Sequence, residues 1–226
     1  MENTNTLVHL LKDRFSFIDE IHNSEKLKSK IISLLFTSFI CFGIYGAIIG
    51  ATNSNTPIQI LASAIKLPAL YLITLTVCLP TLYIFNAFFG SRSTILQHWA
   101  YLLSTITVIS VLLCGFAPIT LFFLLTVNDK FFILLLNVAI FAITGILGVS
   151  FLYKTMKPSE AEEQSGNVKI RKNILKFWLG LYGFVGTQLG WTLRPFFGTG
   201  KDFELFRPRE GSFFISILES LHRLGF

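Results

Sequence analysis

The chain has 226 residues, of which 52% are apolar and only 14% are charged, and its mean hydropathy is +0.63. Soluble globular domains carry roughly 25% charged residues, so this composition excludes an ordinary soluble domain and predicts an integral membrane protein. The formal net charge of +6 would suggest nucleic acid as the partner of a soluble protein. Here the bases flank apolar segments, where they set membrane topology, and we expect no nucleic-acid partner.

Residues 1–30 precede the first apolar segment and carry apolar residues at helical spacing among charged ones. The apolar positions are Leu7, Leu10, Leu11, Phe15, Ile18 and Ile21. This pattern predicts an amphipathic helix that lies on the cytoplasmic surface of the membrane. The acidic residues of this segment argue against a cleavable signal peptide, so we expect the first span to stay in place as an anchor.

Five segments are predominantly apolar over about 20 residues, the length that a helix needs to cross a bilayer. They are Ile31–Ala51, Leu67–Gly90, Trp99–Thr126, Phe131–Tyr153 and Ile174–Leu193. Residues 31–153 therefore form a predicted four-span bundle. The short connection at Asn128, Asp129 and Lys130 predicts that the third and fourth spans are antiparallel neighbours. Pro80 predicts a kink in the second span, and Pro118 predicts that the third span either tilts strongly or breaks near its end.

A charged cytoplasmic linker, residues 154–173, separates the fourth span from the glycine-rich fifth span, residues 174–193. The tail, residues 194–226, ends in a second predicted amphipathic helix, Ser212–Phe226. The side that holds the N-terminus and the linker carries eleven bases near the span ends against seven on the other side. This bias predicts a multi-pass protein of the inner membrane with a cytoplasmic N-terminus and an external C-terminus. A four-span chain with a re-entrant fifth segment is the alternative.

The sequence thus predicts an all-α polytopic membrane protein, with about five transmembrane helices flanked by two amphipathic surface helices. It lacks the motifs of common enzymes, such as His-x-x-x-His, Cys-x-x-Cys and Gly-x-Ser-x-Gly. The four histidines lie outside the cores of the spans, where an interfacial role is more common than metal ligation. We therefore expect no catalytic residue, no metal and no cofactor. An enzyme acting on lipid would need an acid or base that the spans do not supply.

Asn86 and Asn137 are the polar residues whose place in the membrane is most costly, because an unpaired amide in hydrocarbon loses roughly several kcal/mol of solvation. The plain interpretation is hydrogen bonding between helices. The alternative is a polar path through the membrane, lined by Asn86, Asn137, Thr74, Thr81 and Thr144. Thr74 and Thr81 are seven residues apart and share a helix face, which is compatible with such a path.

Glycines recur every three or four residues in the fifth span, at Gly180, Gly183, Gly186 and Gly190. This spacing predicts a groove without side chains, and Gly186 and Gly190 form a Gly-x-x-x-Gly pair that favours close helix packing. The partner would be either another helix of the same chain or a second subunit. A glycine-lined pore is a third interpretation.

Charged and aromatic residues after the fifth span predict contacts at the membrane interface. They are Trp191, Arg194, Arg207 and Arg209. Arg194 would either anchor the chain together with Trp191 or make a bidentate contact with a carboxylate or a lipid phosphate.

The layout of five spans with a cytoplasmic N-terminus resembles that of the Yip family, which are non-enzymatic membrane-trafficking proteins, although the Asp-Leu-Tyr-Gly-Pro signature of that family is absent. The string from Trp191 to Gly198, followed by Phe206 to Glu210, resembles that of uncharacterised bacterial inner-membrane proteins. The resemblance carries no activity. The absence of catalytic motifs, the glycines from Gly180 to Gly190 and Arg194 predict a structural, scaffold or assembly subunit whose partners are the lipid bilayer and other membrane subunits or copies of itself. The alternative is an oligomeric channel or small-solute transporter, which Pro80, Pro118 and the hydroxyl and amide groups of the spans would favour.

Overall fold

The computed structural model describes residues 2–24, 26–52, 57–88, 93–127, 129–155 and 168–193, and all regular structure within these ranges is helical. The seven helices found there are α1 (Glu2–Lys12), α2 (Arg14–His22), α3 (Leu27–Gly50), α4 (Pro57–Phe88), α5 (Ile95–Thr126), α6 (Lys130–Thr155) and α7 (Val168–Leu193). Four of them, α3 to α6, are long and apolar enough to cross a membrane. The predicted all-α class is therefore confirmed, and the four long apolar helices are those of a membrane protein.

The five long helices form an open row in the order α7, α4, α3, α5, α6. Helix α3 lies in the middle and packs along α4 on one flank and along α5 on the other. Helices α4 and α5 touch each other more lightly, and the end helices α6 and α7 share no extensive contact within the described ranges. The row is therefore not closed into a ring by these residues.

Paired residues along the row show the direction of each helix. Thr107 Oγ1 donates to the carbonyl oxygen of Leu34, and the Tyr45 hydroxyl lies 3.3 Å from Thr120 Oγ1. The two residues of each pair are separated by nearly the same number of positions in the sequence, so α3 and α5 run parallel. Helix α6 follows α5 after a short connection and packs against it, so the predicted antiparallel pair is confirmed.

Helices α3 and α4 approach each other most closely where α3 carries Gly46 and Gly50. A Cβ atom placed on Gly46 would lie 2.5 Å from the carbonyl oxygen of Ser63 and 3.1 Å from Ala64 Cα. A Cβ atom on Gly50 would lie 2.8 Å from Ser63 Cβ. No side chain fits at these distances, so Gly46 and Gly50 act as a small-residue packing motif that lets the two backbones meet.

Helix α4 is longer than the predicted second span, because it begins at Pro57 instead of Leu67. Proline is favoured at the first position of a helix, since its missing N–H would have no partner there anyway. The helix then continues through Pro68 and Pro80. Helix α5 likewise continues through Pro118, so a break before the end of the third span, one of the two predicted alternatives, is wrong. Neighbouring helices and side chains can satisfy the backbone groups that a membrane proline releases.

The N-terminal segment forms two helices instead of the one that its pattern predicts. Asp13 separates them, and its side chain accepts a hydrogen bond of 3.3 Å from the backbone N–H of Ser16 at the start of α2. Leu10, Phe17 and Ile21 are almost fully buried, while Phe15 is 61% exposed. Helix α1 packs on α3 and α2 packs on α5, so the segment is docked onto the bundle through part of its apolar surface.

Two polar contacts hold the N-terminal segment to the bundle. Lys30 at the start of α3 donates to the carboxylate of Glu20, and His9 Nδ1 lies 3.7 Å from the same carboxylate. Gln97 Nε2 donates to the carbonyl oxygen of His22 at 2.7 Å, which satisfies one of the carbonyls left open at the end of α2. The segment is therefore fixed by charge and hydrogen bonding as well as by apolar burial.

Candidate functional site

Helix α7 is attached to α4 through two aromatic side chains. Trp178 is 2% exposed, and its Nε1 donates a hydrogen bond of 2.7 Å to the carbonyl oxygen of Cys78. The Tyr182 hydroxyl donates to the carbonyl oxygen of Tyr71 at 3.4 Å. The order of these pairs makes the two helices antiparallel, so α7 runs in the same direction as α3 and α5. The indole N–H and the phenol hydroxyl thus attach one side of α7 to α4 by specific hydrogen bonds.

The four glycines of α7 do not form the single groove that their spacing predicts. A Cβ atom on Gly186 would lie 3.7 Å from Thr74 Cγ2, and one on Gly190 would lie 3.8 Å from a Leu70 methyl group. Both distances are ordinary van der Waals contacts. These two glycines therefore face α4, but alanine would also fit at either position. Gly180 and Gly183 have nothing within 4 Å of such an atom and are exposed. The glycines are therefore divided between the α4 interface and the outside.

The exposed side of α7 combines these two open glycines with two phenylalanines, Phe177 and Phe184, which are 66% and 64% exposed. We call Phe177, Gly180, Gly183 and Phe184 the outer face of α7. Large exposed side chains on either side of open glycines make a surface with a shallow depression, onto which a lipid chain or another helix can pack. This outer face is the candidate docking surface.

Asn137 is the centre of a buried hydrogen-bond cluster that joins three helices. Its Oδ1 accepts a hydrogen bond of 2.8 Å from the Tyr45 hydroxyl, and its Nδ2 donates to the carbonyl oxygen of Ile133 at 2.8 Å. The same hydroxyl lies 3.3 Å from Thr120 Oγ1 on α5. The amide oxygen of Asn137 on α6 thus finds its hydrogen-bond donor on α3. This supports the interpretation that Asn137 bonds between helices.

Three other members of the suggested polar path, Thr74, Asn86 and Thr144, are bonded within their own helices. The donors to carbonyl oxygens of the preceding turn are Thr74 at 2.6 Å, Asn86 at 3.0 Å and Thr144 at 2.9 Å. Thr81 is half-buried. Asn86 lies in the last turn of α4, whereas Asn137 lies near the beginning of α6. Because α4 and α6 run in the same direction, the two amides are at opposite ends of the bundle. Asn86 and Asn137 are therefore not neighbours within one copy, and the polar path stays a prediction.

Several contacts that matter most in the structure were not predicted. Gly46 and Gly50 carry the same Gly-x-x-x-Gly spacing as Gly186 and Gly190, so the signal was present in the sequence but does not tell which pair is pressed against a partner. Tyr45 and Trp178 carry polar atoms into the spans, and a buried phenol or indole usually finds an acceptor. Pairing each such side chain with every polar group of the spans would have suggested the Tyr45 contact.

Four predicted contact residues fall at or beyond the end of α7. Arg194, Arg207, Arg209 and the predicted helix Ser212–Phe226 lie outside the described residues, and so does the side chain of Trp191. Their roles at the membrane interface stay predictions. Within the described ranges, no group of three or more His, Cys, Asp or Glu side chains is placed to hold a metal ion.

Comparison with protein-family models, with curated proteins and with solved structures finds no match to this chain. The function is therefore inferred from the residues and their packing.

Proposed function

We propose that the chain is a non-enzymatic integral membrane protein that acts as a structural, scaffold or assembly subunit of a membrane complex. In this proposal another membrane subunit, or a second copy of the chain, covers the outer face of α7. One observation carries it: α7 holds α4 through Trp178 and Tyr182 on one side and leaves Gly180 and Gly183 open between two exposed phenylalanines on the other. The bonding of the intramembrane amides within the bundle supports a packing role over a chemical one.

The proposal treats α7 as the fifth span. Its 26 residues extend over about 39 Å at 1.5 Å per residue, which exceeds the ~30 Å of the hydrocarbon core. Its direction, parallel to α3 and α5, supports an external C-terminus in an inner membrane whose cytoplasmic side holds the N-terminus. Helices α1 and α2 would then lie at the cytoplasmic interface, where the exposed Val8, Leu11 and Phe15 meet lipid headgroups.

The experiment compares two glycine-to-leucine variants in full-length protein extracted with a mild detergent. Gly183→Leu adds a bulky side chain to the outer face of α7, whereas Gly145→Leu adds the same side chain at an equally open position on α6. We expect Gly183→Leu to reduce the native mass of the complex and to remove co-purifying subunits identified by mass spectrometry, while Gly145→Leu retains them. If the two variants leave identical assemblies, docking through the outer face of α7 is wrong.

The alternative function, an oligomeric channel or small-solute transporter, would have to form its path between copies of the chain. Asn86 and Asn137 are buried and bonded to groups of the same copy, so this alternative draws on the exposed glycines instead. Solute flux in liposomes that is unaffected by Asn86→Leu and Asn137→Leu would remove the path first suggested by the sequence. A closed homo-oligomer without a foreign subunit, combined with flux lost in Gly183→Leu, would favour the channel.

A further inference from the structure

A groove lies between the last turns of α4 and the first turns of α7. Its volume is about 240 Å³, and its lining residues are Phe85, Ile170, Asn173, Ile174 and Phe177. Four of these five side chains are apolar. Phe85, Ile170 and Phe177 are 41%, 43% and 66% exposed, so the groove opens outward from the bundle. In a membrane, such a groove is shaped to hold an alkyl chain and has one amide, that of Asn173, on its wall.

The helix segment beside this groove is strongly basic. The first nine residues of α7 include four bases, Lys169, Arg171, Lys172 and Lys176, and the whole helix contains no Asp or Glu. Lys176 is exposed and directly precedes Phe177 of the groove wall. The positive charge has no acidic neighbour along the helix that would neutralise it. An apolar groove beside a basic segment is complementary to a molecule with an apolar tail and an anionic head.

We propose that this groove binds one anionic phospholipid from the leaflet on the N-terminal side of the membrane. An acyl chain lies against Phe85, Ile174 and Phe177, and the phosphate lies near Lys176 and the amide of Asn173. A zwitterionic lipid would make the same apolar contacts but would gain less from the basic segment. A soluble phosphate compound would meet the bases but would lack the apolar contact. The inference rests on the placement of α7 as a span in the proposed function. It shares Phe177 with the outer face of α7, but it does not require that another subunit covers that face.

The test is a lipid titration of the full-length chain in mild detergent, followed by native mass spectrometry. The probes are phosphatidylglycerol and phosphatidylcholine with identical acyl chains. We expect several-fold tighter retention of phosphatidylglycerol by the natural chain at low ionic strength. Lys176→Gln should reduce that retention by about five-fold, while phosphatidylcholine is retained as before. Lys28→Gln, at an exposed lysine of α3 on the same side of the membrane, is the control and should change neither lipid.

A second pair of variants tests the apolar wall. Phe177→Ala should weaken retention of both lipids, because it removes part of the groove. Phe184→Ala is the matched control, since Phe184 is equally exposed on the same face of α7, two turns away and outside the groove. Thermal unfolding of each variant in the same detergent identifies any that have lost the fold, and these surface substitutions are expected to keep it.

Three results would overturn the proposal: equal retention of the two lipids by the natural chain, an equal effect of Lys28→Gln and Lys176→Gln, or an equal effect of Phe184→Ala and Phe177→Ala. Displacement of the lipid by soluble glycerol phosphate would also overturn it, because recognition would then reside in the headgroup alone. The same spectra report the native mass of the assembly. Loss of lipid preference with an intact assembly separates this inference from the proposed function.

Discussion

Replacing Gly46 by alanine tests the close backbone contact between α3 and α4. The added methyl group would lie 2.5 Å from the carbonyl oxygen of Ser63, and both this atom and the neighbouring Ala64 Cα belong to the backbone of α4. A rigid neighbour of this kind forces the helices apart, and overpacking of a core typically costs about 1–3 kcal/mol. The gain from replacing glycine by alanine inside a helix offsets about 0.5–1 kcal/mol of that cost. The difference between these two ranges is a net loss of stability of about 0 to 2.5 kcal/mol, and we expect a value near the middle, about 1 kcal/mol.

The matched control is Gly183→Ala, which makes the same chemical change where no atom lies within 4 Å. Both variants gain the same helix propensity from alanine. The difference between their free energies of unfolding therefore measures the cost of the clash at Gly46, about 1–3 kcal/mol. Thermal unfolding in detergent, followed by tryptophan fluorescence, should place Gly46→Ala about 6 °C below Gly183→Ala. Equal melting temperatures would refute the close contact of α3 and α4 at Gly46.

Three further contacts give predictions of their own. A double-mutant cycle of Tyr45→Phe and Asn137→Ala should show a coupling of about 0.6 kcal/mol in detergent unfolding, and additive effects would contradict the bond between them. The thiols of Cys41 on α3 and Cys114 on α5 lie near each other, so we expect copper phenanthroline to join them in a disulfide within one chain. Two thiols that remain free to react with an alkylating reagent would count against that pairing. Glu20→Gln removes the carboxylate that pairs with the nearly buried Lys30 at the start of α3. The free energy of opening of α1 and α2, measured by hydrogen exchange, should therefore fall by about 1 kcal/mol. Unchanged exchange would mean that the ion pair does not hold the segment.

The four long apolar helices α3 to α6 follow from hydropathy, because only a helix satisfies its own backbone in hydrocarbon. Their ends do not follow from it. Hydropathy marks the apolar part of a helix, and α4 extends beyond that part to Pro57, ten residues before the predicted start. The N-terminal segment differs for another reason. Its periodicity fits one helix, but Asp13 caps a second helix there, and the bundle supplies a surface on which Phe17 is completely buried.

Local sequence patterns could not predict which helices pack against each other. A helix that is apolar on all sides gives no sign of which side meets protein and which meets lipid. Gly-x-x-x-Gly spacing says that a helix can be approached closely, and it occurs at Gly46 and at Gly186, yet only Gly46 is pressed against another backbone. Asn137 was expected to bond across helices, but its partner, Tyr45, lies 92 positions away and becomes a neighbour only through the order of the row.

The order of the helices in the row also limits the sequence in which their contacts can form while the chain is synthesised. Helices α4 and α5 emerge one after the other, yet they settle on opposite flanks of α3, which makes α3 the template for both. Helix α7 emerges last among the described helices and joins α4 at the edge of the row remote from α6. Until it arrives, the side of α4 that carries the carbonyl groups of Tyr71 and Cys78 lacks the two donors that later meet it. An insertion intermediate that ends at α6 therefore presents this side of α4 to lipid or to the insertion machinery, and burial of Trp178 marks the docking of α7.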